Sequence, residues 1–183
     1  DWNDPVKVKR LLDMGAPGLM FPMVQDVQQA QQAVAATRYP PRGIRGVGGT
    51  TRGNKFGRIG DYFSGIENET TVIVQVETLS ALQQAEAIGA VDGVNGVFFG
   101  PADIAADMGL LGQHMSPPVW EAIWPVARKL IAQGVPVGTL VSDAGFARQL
   151  LADGFTFVAC GSDIGLLAKG ADALLAQVKD ETP

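Results

Sequence analysis

Residues 96–109 read GVFFGPADIAADMG: an uncharged apolar run, a Gly-Pro pair, then a lone carboxylate, Asp103, in a stretch of small residues. A short run that is apolar on both faces belongs to a parallel strand covered by helices. Gly100 and Pro101 let the backbone turn sharply out of that strand towards a helix N-terminus. The stretch reads as the hinge of a βα unit.

Working outward, the same alternation recurs along the chain. Apolar β-type runs fall at 18–24, 71–77, 96–100, 135–141 and 155–161, and amphipathic helical runs at 27–37, 79–88, 118–133, 144–153 and 165–178. Ahead of them, DWNDPVKVKRLLDMG opens on a helix signal: Asp4 as cap, Pro5 at the first helical position, and Val6, Val8, Leu11 and Leu12 at helical spacing. This alternation predicts an α/β fold with a parallel sheet. Between 38 and 60 the chain is instead a long Gly- and Arg-rich loop with a Pro pair, of the kind that is usually functional or mobile. Five strands do not close an eight-stranded barrel, which takes about 250 residues. Two readings remain, a complete open α/β sheet or the later part of a TIM (β/α)8 barrel whose first strands are missing. The helix-first start favours the second, with residues 1–183 as one domain.

The 183 residues, 46% hydrophobic and 18% charged, suffice for one buried core. Runs such as VIVQV and VGTLV are far shorter than the ~20 residues of a membrane helix, and no signal peptide is visible. A net charge of −5 with 14 scattered Lys and Arg argues against a nucleic-acid partner. The single cysteine, Cys160, lies in the apolar run FTFVAC and is expected to be a buried, inert thiol, in keeping with a reducing cytosol.

In a parallel α/β sheet, residues just past the strand C-termini face one rim, where ligands bind. Glu77 ends VIVQV and Asp103 follows GVFFGPA, 26 positions later, enough for one helix, two loops and a strand. That spacing puts them at the ends of adjacent strands roughly 5 Å apart. Two carboxylates so close repel unless a proton or a cation lies between them. Such a pair without histidine suits a hard divalent ion, Mg²⁺ or Mn²⁺, whereas a Cys/His zinc site is excluded by supply. The simpler reading is that each acid caps the following helix. Beside Asp103, the amides of Ala102 and Asp103 would cradle a small carboxylate. Metal next to such a cradle describes a site for an α-keto acid.

The segments FPMV (21–24), ATRYPPRGIRGVGG (36–49), VQVET (74–78), GPADIAADMG (100–109) and FVACGSD (157–163) together resemble the metal-dependent (class II) pyruvate aldolases of the 4-hydroxy-2-oxoheptanedioate aldolase type. These are similar in turn to the 2-dehydro-3-deoxyglucarate and 2-keto-3-deoxyrhamnonate aldolases. The resemblance implies a (β/α)8 barrel of which this chain holds about strand four onward. It implies Glu77 and Asp103 as ligands of a divalent ion (Mg²⁺, Mn²⁺ or Co²⁺), and Gln75, Ala102 and Asp103 as contacts to pyruvate or another 2-oxo acid. It makes Val47 and Leu140 walls of an aldehyde pocket, and Asp13 the acid that raises the basicity of a catalytic histidine. That histidine and a transition-state arginine are expected upstream of Asp1. A cytoplasmic homo-oligomer is also implied, hexamers being usual in the family, with the helix near 166–178 packed on a neighbouring subunit.

The implied chemistry is reversible aldol cleavage of a 4-hydroxy-2-oxo acid to pyruvate and an aldehyde. The rival Schiff-base route needs a lysine at a strand end. Lys7, Lys9, Lys55, Lys129, Lys169 and Lys179 all fall in helices or the long loop. His114, the only histidine, sits in a polar loop before a Pro-marked helix start and reads as a surface or helix-entry residue. Arg42 and Arg45 read as loop-holding, and Trp120 and Trp124 as packing. GVGGTTRGN lacks the Gly-Lys-Ser/Thr of a P-loop. Two other readings stay open: a CoA-ester lyase of the citrate-lyase β or malyl-CoA type, for which no basic cluster is present, and a non-catalytic barrel-derived binding module.

Overall fold

A computed structural model describes residues 2–180. Five parallel strands, β1 (Gly18–Phe21), β2 (Thr71–Val76), β3 (Gly96–Phe99), β4 (Val137–Leu140) and β5 (Phe157–Ala159), lie side by side in sequence order. The helices are α1 (Pro5–Asp13), α2 (Val27–Thr37), α3 (Tyr62–Glu69), α4 (Leu79–Gly89), α5 (Pro101–Asp107), α6 (Pro117–Ala132), α7 (Ala144–Ala152) and α8 (Asp163–Asp180). A doubly wound sheet reverses its strand order to put helices on both faces. Here the order never reverses, so right-handed crossovers carry the helices to one face and curl the sheet into an arc. The open-sheet reading is thereby set aside, and the chain forms a five-stranded arc of a TIM-like barrel.

The alternation along β2 shows how the arc is built. Val72, Val74 and Val76 are buried towards the helices, while Ile73 and Gln75 face the concave side half-buried. On the convex side Val74, Val97, Phe99, Ala85, Ile88, Ile123 and Leu130 form one core with α2, α4 and α6. Trp120, Trp124, Phe146 and Phe155 close its α6–α7 corner, with Trp120 and Phe146 edge to face at 4.6 Å, which bears out the packing role of both tryptophans. The concave side is more open: Met20 is 42% and Leu140 45% exposed, and Phe98 leans on Phe157 at 5.9 Å.

Local signals placed the first helix well. Asp4 accepts hydrogen bonds from the amides of Val6 and Lys7, and Pro5 begins the helix. The strands are shorter than their apolar runs, because the runs continue past the ladder as rim loops. Cys160, expected to be buried, is exposed just beyond β5. The apolar run reaches the sheet rim there, where no helix covers it.

The 38–60 loop is tied down at the end of the sheet where strands begin. Buried Asn54 accepts from the amides of Thr51 and Gly57 and donates to the carbonyls of Gly48 and Gly49. Arg42 bonds Glu67 and Asp92, and Arg38 bonds the same two acids. The Arg45 side chain, wholly buried, donates to Asp13 at 2.9 Å and to the Tyr62 hydroxyl at 3.2 Å, and lies over the Tyr39 ring. Both loop arginines are structural.

A candidate acidic site at the sheet rim

The register of β2 and β3 pairs Gln75 with Phe98 and Val76 with Phe99, so Glu77 and Gly100 leave the sheet together. Glu77 turns its carboxylate over Gly100 and is only 6% exposed. A β-carbon at Gly100 would fall 2.6 Å from Glu77 Oε1 and 2.8 Å from its Cγ. Glycine is required here for space, since its φ of −100° is open to any residue.

Two donors hold Glu77. The Met23 amide donates to Oε2 at 2.8 Å, and the Gln75 side-chain nitrogen donates to Oε1 at 3.1 Å. Met23 adopts a left-handed backbone, φ 55°, which is uncommon for a residue with a side chain and which aims its amide at the acid. Asp103, in the first turn of α5, lies within hydrogen-bonding reach of Glu77 and is open to solvent. Burial pushes the Glu77 carboxyl above its usual range; the Met23 amide opposes this and the negative Asp103 reinforces it. Among the described residues neither a lysine nor an arginine offsets the charge of Glu77.

The pair opens on a cavity of about 290 Å³ lined by Gln75, Glu77, Phe98, Gly100 to Asp103, His114 and Leu140. The Ala102 and Asp103 amides, at the start of α5, have no backbone acceptor. Among the described residues no three His, Cys, Asp or Glu side chains converge, so protein ligands to an ion would be these two carboxylates alone. Hard oxygen donors, a buried acid without a counter-charge and space for water or a substrate oxygen fit a divalent ion of the Mg²⁺ type.

Thus Glu77, Asp103, Gln75, Ala102 and Leu140 come together as the spacing and the resemblance expected. Asp13 and Val47 do not. Asp13 ends α1 at the start of the strands, bound by Lys9 and Arg45, and Val47 lies between Gly46 and Gly48, which pack on Lys9 and Asp13. The six-residue β2 separates the two ends by roughly 20 Å. Within the described chain the partners of Asp13 are Lys9 and Arg45. Burial opposes its charge, but hydrogen bonds from Lys9 and Arg45 outweigh that and hold its carboxyl below the usual range. Sequence reasoning missed the Met23 amide, Phe98 and His114. The signal for the first lay in FPM, an apolar strand stopping at a proline; the loop histidine carried none.

A relative from Salmonella paratyphi B, "4-hydroxy-2-oxo-heptane-1,7-dioate aldolase", is 47% identical over 177 residues, 96% of this chain and 67% of its own length. The crystal structure of an HpcH/HpaI aldolase/citrate lyase family protein from Burkholderia cenocepacia J2315 superposes with TM-score 0.90 at 37% identity, over 96% of this chain and 70% of that one. The HpcH/HpaI aldolase from Desulfitobacterium hafniense DCB-2 gives 0.85 at 30% identity, over 100% and 71%. Residues 2–170 match the HpcH/HpaI aldolase/citrate lyase family model, and the chain belongs to that family.

Proposed function

We propose that the chain is the C-terminal part of a class II aldolase barrel, β1 being the fourth of eight strands. Its activity is reversible aldol cleavage of a 4-hydroxy-2-oxo acid to pyruvate and an aldehyde. The observation that carries the reading is the uncompensated Glu77–Asp103 pair facing a cavity, in a chain nearly half identical to a named aldolase.

Glu77 and Asp103 would hold a divalent ion, which when bound acts as a Lewis acid on the 2-oxo acid and stabilises the enolate left by C3–C4 cleavage. Met23 and Gln75 fix Glu77 before any ligand arrives, so little reorganisation remains at binding. The amides of Ala102 and Asp103 offer two donors to the acid's carboxylate. Gln75, engaged with Glu77, serves first to orient that acid and reaches a ligand through its remaining polar groups. Phe98, Pro101 and Leu140 wall the cavity and keep water from the reacting carbons. The base for the C4 hydroxyl proton is expected in the third of the relatives' length that this chain does not span.

The surface of α8 supports a homo-oligomer. Leu166, Leu167, Leu174 and Leu175 are each more than half exposed, a surface suited to covering by a second copy of the chain. No described helix is long and apolar enough to cross a membrane.

The test is pyruvate release from a 4-hydroxy-2-oxo acid with Mg²⁺ or Mn²⁺ against EDTA, for the full-length parent protein and for its Glu77→Ala and Asp103→Ala variants. Release that needs the ion and is lost in both variants is expected. No release with either ion would overturn the aldolase reading in favour of a CoA-ester lyase or a binding module.

A further inference from the structure

We propose that His114 is a substrate-selecting residue, which binds a carboxylate at the far end of the aldehyde portion and so favours dicarboxylic 4-hydroxy-2-oxo acids. The inference rests on the aldolase reading of the rim cavity.

Of the residues lining the cavity, Phe98, Gly100, Pro101, Ala102 and Leu140 bring no polar side chain. Glu77 and Asp103 repel anions, and the Gln75 amide nitrogen already donates to Glu77. Besides the remaining N–H of Gln75, which is held beside Glu77, His114 is the lining side chain able to offer an N–H donor to an anion, whether neutral or protonated. Its ring makes no hydrogen bond within the described chain, although the residue is half-buried.

The position is held as a binding group requires. The Trp120 indole N–H donates to the His114 carbonyl at 3.0 Å, and Trp120 is itself buried against Phe146 and Trp124. The backbone carrying the imidazole is thereby anchored to α6 and the core, while the ring stays free for a ligand. Met115 and Leu111 beside it are exposed, so burial of the loop does not explain why the histidine turns to the cavity.

The experiment compares two 4-hydroxy-2-oxo acids of equal length, one ending in a carboxylate and one in a methyl group, with Mg²⁺ present and pyruvate release followed. The readout is the ratio of kcat/KM between them, for the unaltered full-length parent protein and its His114→Ala and His114→Gln variants. Losing a hydrogen bond to a charged group corresponds to about tenfold to a hundredfold. The ratio should fall by that factor in His114→Ala, through KM of the carboxylate-ended acid, and partly recover in His114→Gln, which keeps an N–H donor. A ratio within about twofold of the unaltered protein in both variants would overturn the inference, and equal losses on both acids would leave His114 a structural role only. Were the unaltered protein to release pyruvate from neither acid, the aldolase reading would fall and this inference with it.

Discussion

Replacing Gly100 by alanine tests how tightly the rim holds Glu77. The added methyl would lie 2.6 Å from Oε1, so that oxygen must retreat by about 0.8 Å to reach the 3.4 Å of ordinary contact. The bond from the Gln75 nitrogen to that oxygen, 3.1 Å now, would stretch to roughly 3.9 Å, beyond hydrogen-bonding range. Losing a hydrogen bond to a charged group costs about 1.5–3 kcal/mol. Against this, alanine restricts the unfolded chain and returns only about 0.4–1 kcal/mol. The displaced carboxylate wins. Calorimetric titration with Mn²⁺ should show affinity falling about tenfold to a hundredfold, and urea unfolding without the ion should show a net loss of about 1–2 kcal/mol. An Mn²⁺ affinity within about twofold of the parent, in a folded variant, would refute the idea that Gly100 is there to make room for the acid.

At the other end of the sheet, Asp13→Ala leaves the buried Arg45 cation without its carboxylate. A loss of about 3–5 kcal/mol, or roughly 6–20 °C in Tm, is expected, with Asp13→Ala/Arg45→Met less destabilised than the single change; additive losses would refute the pairing. Asp13 is held below its usual range, so its contribution is present above the unfolded value of 3.8 and lost as pH falls through the lower folded value. Chemical denaturation from about pH 5 to about pH 3 should therefore cost the parent more stability than Asp13→Asn, and parallel curves would count against it. Glu77 has the opposite sign: its raised carboxyl makes the ion-free protein lose stability as pH rises from its unfolded value through the folded one. Protons should accordingly displace Mn²⁺ at a pH above the ordinary carboxylate range, and affinity holding steady until about pH 4 would contradict this. Finally, Leu167→Glu with Leu175→Glu on α8 should shift light-scattering mass to a smaller species, and an unchanged mass would show that this face is not buried in the assembly.

The parts of this molecule that were legible in its sequence are those decided locally. Two-faced apolar runs gave the strands, Asp4-Pro5 gave the first helix, and the distance from Glu77 to Asp103 gave neighbouring strand ends. The short α3, YFSGIENE, escaped because it contains a glycine and has no side-chain cap. The seven-residue α5 was too brief for periodicity to show. What sequence could not convey is contact across long separations. Met23 reaches Glu77 over 54 residues and Arg45 reaches Asp13 over 32, neither announced by any local pattern. Asp13 and Val47 entered through motif similarity alone, and the fold carries them to the other end of the strands. That the loop of His114 lines a cavity was not legible either, because a polar loop looks the same in sequence whether it faces solvent or a cavity.

The two ends of the strands have a practical meaning for anyone reshaping this protein. Ionic and aromatic tethering gathers around Arg45, while Leu140 and His114 at the rim beyond β3 and β4 are partly exposed, so that their replacement removes little packing. Libraries that randomise Leu140, His114 and their loop neighbours can therefore be screened for new aldehyde acceptors without first raising thermal tolerance. The same libraries placed at Tyr39, Arg45 or Tyr62 would return mostly unfolded chains, whatever their effect on chemistry.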